Sequence, residues 1–411
     1  MALQTLSSRR LTVLRAAALF DGVSSALMTE PSVVIADGRI AAVHGPGESF
    51  PASAEIVDLP GLTLMPGLVD AHVHLCFDAS DDPVGHLAGL DDSVLLQRMA
   101  GAARRALGAG VTTVRDLGDR GYLALDLRDR VSEADRLPTI VAAGPPVTTP
   151  GGHCHFLGGA VSGIRGVHAA VRERAERGVN VIKVMASGGT LTPGSVPHEP
   201  QFDAGALRQI VEEAHRHGLP VTAHAHSSRS IADAVTAGVD GIEHATFMTA
   251  DGVDAPENVI RALVKRRTAI GCTVGLEPGP HAPPAPIASR MAGLAATRRR
   301  LYRSGALLVP GSDAGLSRAK PHDVLRFAPD DLIAAGMSRA EVLQAITSRA
   351  AQACGLGHRK GRIAAGFDAD ILAVDGNPLQ ELAAIRRLRA VYARGAPVMP
   401  APDFQASAEA R

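Results

Sequence analysis

Apolar residues fall in short blocks broken by tight turns at both ends of the chain, and in alternating short and long blocks between them. The run from Leu11 to Leu19 stops at Asp21-Gly22. Residues 32–35 lead into Asp37-Gly38, and 39–43 follow. Asp-Gly between two apolar runs is a strong hairpin signal. The C-terminal end repeats the pattern. Gly366-Phe367-Asp368 leads into 369–374, Asp375-Gly376-Asn377-Pro378 closes that strand, and a strand pair over 388–398 turns at Arg394-Gly395. Two strand-rich ends flanking a long middle predict one small domain assembled from both.

The middle predicts alternating strands and helices. Candidate strands cover 63–74, 111–117, 139–147, 180–186, 220–226, 241–246, 269–275 and 307–313. Over 91–108 apolar residues recur at 94, 95, 99, 102, 103 and 106, a helical spacing. Helices are likewise expected over 166–177, 203–217, 228–237, 256–267 and 286–304, then over 323–335, ended by Gly336, and 339–354. Eight strand-then-helix units in succession are the pattern of an α/β fold of the (β/α)8 TIM barrel type. A doubly wound sheet would need a phosphate-binding turn, and neither GxGxxG nor GxxxxGK[ST] occurs. The expected division is a barrel over 66–356 and a composite β-sandwich from 1–65 and 357–411.

Composition narrows the partners. Among 411 residues, 42 Lys and Arg balance 42 Asp and Glu, which argues against nucleic acid or an anionic membrane. The dense basic cluster Arg298, Arg299, Arg300 and Arg303 reads as a solvated helix face. Aromatic residues are 3% with no Trp, so ring stacking is not the main recognition device. The expected partner is a small-molecule substrate, and a homo-oligomer stays open. No apolar run approaches the roughly 18 residues needed to span a bilayer. Ser7-Ser8-Arg9-Arg10 before an apolar stretch imitates a signal peptide, but Arg15 interrupts it and Asp21-Gly22 stands where a cleavage site would be; strand and turn are expected instead. Cys76, Cys154, Cys272 and Cys354 are scattered without a CxxC, which fits a reducing, cytoplasmic location.

The chemistry gathers at strand ends. His72 and His74 are two apart on a strand and project to one face, as a shared metal needs. Lys183 interrupts the apolar run Val181-Ile182-Lys183-Val184-Met185, where an ammonium is costly unless paired or neutralised. His224, His244 and Asp313 end three further strands. Six metal-capable or ionisable groups thus lie at the carboxyl ends of strands one, four, five, six and eight, which converge on one face of a barrel.

The motifs carrying these residues run in order: 64–74 (LMPGLVDAHVH), 110–116 (GVTTVRD), 182–184 (IKV), Ser187-Gly188-Gly189, His224-Ala225-His226, 237–244 (AGVDGIEH), Gly311-Ser312-Asp313, 366–370 (GFDAD) and Asn377-Pro378-Leu379. In this order the chain resembles the amidohydrolase superfamily of metal-dependent hydrolases, in its imidazolonepropionase-like and Xaa-Pro dipeptidase (prolidase) branch. The resemblance implies that His72, His74 and Asp313 bind the more buried of two divalent metal ions and that His224 and His244 bind the second. It implies that Lys183 is N6-carboxylysine bridging both. A desolvated, neutral amine can add CO₂ to give such an anionic ligand. Imidazole and carboxylate suit Zn²⁺, the expected metal, and Mn²⁺, Co²⁺ and Fe²⁺ accept the same ligand types. The implied mechanism is attack of a metal-bridged hydroxide on a carbonyl carbon, with Asp313 as general base and then proton donor to the leaving nitrogen.

Substrate contacts are expected from His153 and His155 in Gly151-Gly152-His153-Cys154-His155, from His226 beside His224, from Arg229 as an anion contact, and from His322 at the rim near Lys320. Prolidase-like members tend to have Tyr near position 226, which weighs against dipeptidase activity. His198 and Glu199 divide between pocket and surface, His215 and His217 read as surface, and Asp116 either orients a site group or makes a structural bond. The expected reaction is hydrolysis of a C–N bond in an N-acyl amino acid, an Xaa-Pro dipeptide or a cyclic amide. Rivals are lactone, ester or organophosphate hydrolysis at the same site, a mononuclear deaminase or imidazolonepropionase-type ring opening, and a non-catalytic barrel that only binds.

Overall fold

The structure is a computed structural model and describes residues 11–129 and 136–399. Ser7-Ser8-Arg9-Arg10 lies outside the described residues. The described residues start with strands β1 (Leu11–Leu19), β2 (Met28–Thr29), β3 (Ser32–Ala36), β4 (Arg39–His44) and β5 (Glu55–Pro66). Asp37 and Gly38 both take positive φ at the β3–β4 turn, as the Asp-Gly signal predicts.

Eight parallel strands follow: β6 (Leu68–Val73), β7 (Val111–Asp116), β8 (Thr139–Ala142), β9 (Ile182–Met185), β10 (Val221–Ser227), β11 (Gly241–Met248), β12 (Ala269–Thr273) and β13 (Leu307–Gly311). They form two arcs, β6-β7-β8 and β9 through β13. Backbone bonds close both seams. Val147 accepts from Met185 and donates to Lys183, each at 2.8 Å; His74 donates to Ala314 at 3.0 Å and Asp313 to His72 at 2.7 Å. The second seam welds the strand ends that carry His72, His74 and Asp313. Helices Asp92–Gly108, Gly163–Glu176, Ala204–Arg216, Ser228–Ala237, Glu257–Arg266 and Met291–Arg303 pack outside, each burying an apolar stripe on the strands. None of the helices among the described residues is long and apolar enough to cross a membrane.

The described residues close with β14 (Ile371–Asp375), β15 (Leu388–Ala393) and β16 (Ala396–Val398). β5 pairs in parallel with β1 and antiparallel with β14, so both ends join in one eight-stranded sheet.

Three expected elements are divided. The run 63–74 predicts one strand, but it serves β5 in the outer sheet and β6 in the barrel, with Gly67 between them. The Gly67 N–H bonds the Asp370 carbonyl at 2.9 Å, and a Cβ there would lie 2.1 Å from Thr112 Oγ1. Both halves are buried, so hydrophobicity alone shows no break. The expected helix over 323–335 begins as a tight turn, Val324–Phe327, before Ala328–Ala335, where Pro329 starts the regular part. The expected helix over 339–354 contains a wider π turn, Ala345–Arg349, packed under β6 and β13.

Candidate metal centre

Alternation along β10 points Thr222, His224 and His226 to one side, and Thr222 Oγ1 meets Glu243 Oε1 at 2.6 Å inside the barrel. Lys183 on β9 pairs directly with Thr222, so its side chain also enters the lumen. It is 1% exposed and makes no hydrogen bond or ion pair among the described residues. Burial pushes the Lys183 amine below its ordinary pKa, against the pull of Glu243 and Asp313. A buried, unpaired amine favours the neutral form.

His72 and His74 meet Asp313 from across the seam. His72 Nε2 is 3.3 Å from His74 Nε2 and 3.3 Å from Asp313 Oδ1, and His74 Nε2 is 3.5 Å from that same oxygen. The tautomers follow from the other ring nitrogens. His72 Nδ1 faces Glu243 Oε2 at 2.9 Å and His74 Nδ1 faces the Gly118 carbonyl at 2.9 Å. Each Nδ1–H donates to an oxygen, so each Nε2 presents a lone pair. Asp313 Oδ1, buried, has no hydrogen-bond partner. Three electron-rich atoms thus converge with no proton between them.

A cation resolves that repulsion, and the distances fit one. Donors bound at about 2.0–2.1 Å with tetrahedral angles sit roughly 3.3–3.4 Å apart. A second group lies beside the first. His224 Nε2 meets the Gly188 carbonyl at 3.0 Å, which frees Nδ1, and His244 Nε2 lies 3.0 Å from that Nδ1. His224, His226 and His244 each place a ligand atom within 4.8 Å of the others, as do His72, His74 and Asp313. The residues present fit two divalent ions.

Two of these residues adopt left-handed backbone, His244 at φ 68° and Asp313 at φ 59°. Non-glycine residues seldom do so, and such strain collects at functional sites. At His244 it breaks the strand alternation. Glu243 and His244 are neighbours, yet Glu243 reaches His72 and the His244 ring lies 5.3 Å from the His72 ring.

Burial sets the charge of the cluster. It lowers His74 to about 4, with His72 adding to the effect, and His226 to about 4. It lowers His153 to about 3, and drives His224 and His244 well below the usual range. These rings are neutral at neutral pH. Burial alone would raise Asp313, but His72, His74 and Lys320 outweigh it and keep the carboxyl below its usual value.

Of the expected substrate residues, two are brought to the centre. His153 is buried, its ring 4.7 Å from the His224 ring, and its Nδ1 lacks a partner. His226 stacks on His244 at 4.5 Å. The others are not. His155 is exposed and bonds the Gly152 carbonyl, and Arg229 is exposed and paired with Asp233 on its own helix at 2.8 Å. His322 is buried behind His74; its ring bonds the His74 carbonyl at 3.2 Å and lines a separate cavity of about 360 Å³ with Cys76, Phe77 and Arg105. His215 and His217 pair at the surface with Asp240 and Glu213. Asp116 acts through the backbone. It accepts from the N–H groups of Leu75 and Gly118, the residues that follow His74 and hold its ring, and burial raises it to about 7.

Sequence reasoning passed over Glu243 and Arg115. Both are charged residues inside apolar strands, the same signal that singled out Lys183, and they form a buried pair at 3.0 Å.

Residues 63–398 match the model of the amidohydrolase family. Ochratoxinase from Aspergillus niger is 27% identical over 362 residues, covering 80% of this chain and 73% of that enzyme. Imidazolonepropionase from Deinococcus deserti is 25% identical over 388 residues, 87% of this chain and 88% of that enzyme. A crystal structure of an Xaa-Pro dipeptidase with methionine bound in its active site superposes with a TM-score of 0.83 at 26% identity, over 94% of this chain and 99% of that one. The chain belongs to the amidohydrolase family, hydrolases of carbon–nitrogen bonds.

Proposed function

We propose that the protein uses two divalent cations to hydrolyse an amide-like bond in an N-acyl amino acid, an Xaa-Pro dipeptide or a cyclic amide. The observation that carries this reading is the triangle of His72 Nε2, His74 Nε2 and Asp313 Oδ1, with edges of 3.3, 3.3 and 3.5 Å and no proton to bond them. Relatives named ochratoxinase, imidazolonepropionase and Xaa-Pro dipeptidase support a C–N bond as the target. The four cysteines are free and buried, in keeping with a reducing, cytoplasmic setting.

The first cation is assigned to His72, His74 and Asp313, the second to His224 and His244, with carboxylated Lys183 between them and Zn²⁺ as the metal. Bound there, the pair supplies an acidified water and a polarised carbonyl oxygen. The chain does the rest. The neutral Lys183 amine attacks CO₂ through its lone pair and releases one N–H proton to solvent, which turns a buried neutral amine into a buried anionic carbamate donor. Asp313, held ionised, takes the proton of the attacking water and passes it to the leaving nitrogen. His153 presents its unpartnered Nδ1 to a substrate group beside His224.

The test is elemental analysis of the purified protein together with hydrolysis assays on N-acyl amino acids, Xaa-Pro dipeptides, cyclic amides and lactones. Two ions per chain and turnover of an amide substrate are expected. One ion per chain, or turnover of lactones alone, overturns the reading.

A further inference from the structure

The cavity of about 360 Å³ behind His74 is of the size that holds small molecules. Its inner wall is the setting of the His74 ring. His322 donates from Nε2 to the His74 carbonyl at 3.2 Å, and the Phe77 ring packs against the His74 ring with centres 5.7 Å apart. Cys76 Sγ lies 3.5 Å from the Gly118 carbonyl, the same oxygen that holds His74 Nδ1. Three side chains that line the cavity thus meet His74 or the group that orients it.

The outer wall is one face of the helix Asp92–Gly108. Arg98, Gly101, Ala102 and Arg105 follow i, i+3, i+4, i+7 spacing, and all four line the cavity. The two small residues leave the space between the two guanidiniums, and a Cβ on Gly101 would meet nothing within 4 Å. Leu87 and Leu90 supply apolar walls.

Charge at the mouth is one-sided. Asp78 is taken up by His86, whose Nδ1 lies 2.6 Å from its Oδ2. Arg105 bonds Asp323 through Nε at 2.8 Å, which leaves its Nη groups available. Arg98 makes no hydrogen bond or ion pair among the described residues. Guanidinium groups donate only, in a fork that matches a carboxylate. An apolar chamber with such a mouth suits a small monoanion with an apolar body.

We propose that this cavity is a second ligand site, apart from the candidate metal centre, that takes a small apolar carboxylate and steadies His74. The occupant presses His322, Phe77 and Cys76 onto the surroundings of the ring. A ring already ordered loses less freedom when a cation binds, so the cation binds more tightly. This coupling rests on the two-cation reading; the site itself does not.

Calorimetric titration of the metal-loaded protein with phenylacetate tests the site, with phenethylamine as the cationic counterpart. Phenylacetate should bind with Kd of about 0.1–1 mM, and phenethylamine at least about 10-fold more weakly. Gly101→Leu fills the chamber from a position outside the metal centre. It should weaken phenylacetate by at least about 10-fold at unchanged metal content. Arg98→Met should weaken it by about 10-fold through loss of the charged donor. Thermal unfolding checks that the variants fold; if Gly101→Leu does not, Arg98→Met decides. Chelator competition reads the coupling. Saturating phenylacetate should tighten the first cation by about 5-fold in wild type and leave it unchanged in Gly101→Leu. Unchanged phenylacetate affinity in the folded variants puts the probe elsewhere and overturns the proposal, as does equal binding of phenethylamine. Cation affinity indifferent to bound phenylacetate overturns the coupling. Fewer than two ions per chain overturns the two-cation reading, and the comparison of variants then still decides the site.

Discussion

Glu243 Oε2 lies 2.9 Å from His72 Nδ1, and the other oxygen of the same carboxylate takes a bond from Arg115 Nη2 at 3.0 Å. One buried acid therefore fixes the His72 tautomer and neutralises a buried guanidinium. Arg115 Nε also bonds the Ala71 carbonyl at 2.7 Å, next to His72 in the chain, so the pair braces His72 from both sides. Burial alone would raise Glu243, but Arg115 and His72 outweigh it and hold the acid far below its usual range.

Glu243→Gln keeps an acceptor for His72 but removes the charge and leaves Arg115 unpaired. Loss of such a supporting group lowers metal affinity by about 10–100-fold. Removing one partner of a buried pair costs about 3–5 kcal/mol of stability. Adding Arg115→Met should recover much of the stability without restoring the affinity. Chelator competition and chemical denaturation read the two effects separately. Wild-type affinity in Glu243→Gln would falsify the bracing role.

Two glycines make room for this arrangement. A Cβ on Gly271 would sit 1.9 Å from Glu243 Oε2, and one on Gly311 would sit 2.4 Å from His72 Cβ. Gly271→Ala should push Glu243 away from His72, cost about 1–3 kcal/mol, and weaken metal binding much as Glu243→Gln does. Gly101, mid-helix, has nothing within 4 Å of its missing Cβ. Gly101→Ala should instead stabilise by about 0.5–1 kcal/mol through helix propensity alone. Equal effects at the two positions in denaturant titrations would show that crowding around Glu243 is not what matters.

The barrel was legible because its strands and helices alternate in period, and the candidate site because polar residues end apolar strands. Lys183 stood out for that reason, and Glu243 and Arg115 carried the same mark without being read. What the pattern could not show was any division inside a run buried on both sides, hence the missed break at Gly67 between β5 and β6. Nor could spacing place loop side chains. His155 and Arg229 follow site residues in sequence, yet the Gly152 carbonyl captures one and Asp233, one helical turn on, captures the other. The left-handed turns at His244 and Asp313 fall on residue types enriched in that conformation, but His and Asp are too common elsewhere in the chain for type alone to mark them.

Lys183→Ala removes the amine that is to carry CO₂. Metal content should fall from two ions per chain toward one or none, and amide hydrolysis should fall by at least about 1,000-fold, the scale of losing a group that positions the nucleophile. Wild-type protein stripped of metal should also regain activity more slowly in CO₂-depleted buffer than with added bicarbonate. Full metal content and turnover in Lys183→Ala, or reconstitution indifferent to bicarbonate, would remove Lys183 from the bridge.

Away from the metal ligands, Lys360 is 1% exposed and ties the barrel to the outer sheet, with Nζ 2.6 Å from Asp370 Oδ2 and 2.9 Å from Asp368 Oδ2. Asp370 also accepts from the Arg394 N–H at the β15–β16 turn at 2.8 Å, so one ammonium organises three segments. Burial would raise Asp368, but Lys360 and Arg359 outweigh it and lower its pKa from the model-compound value of 3.8. An acid depressed in the folded state adds stability above its unfolded pKa and loses it as pH falls through the folded value. Wild type should therefore lose stability progressively below about pH 4. Lys360→Met leaves two buried carboxylates facing each other, which costs about 3–5 kcal/mol at neutral pH. It also flattens the slope: Asp368 keeps the Arg359 guanidinium at 2.7 Å but loses the ammonium, so the variant should lose less stability than wild type between about pH 5 and 3. Urea denaturation across that range decides the matter, and a variant with the same pH slope as wild type would show that Lys360 does not govern these carboxylates.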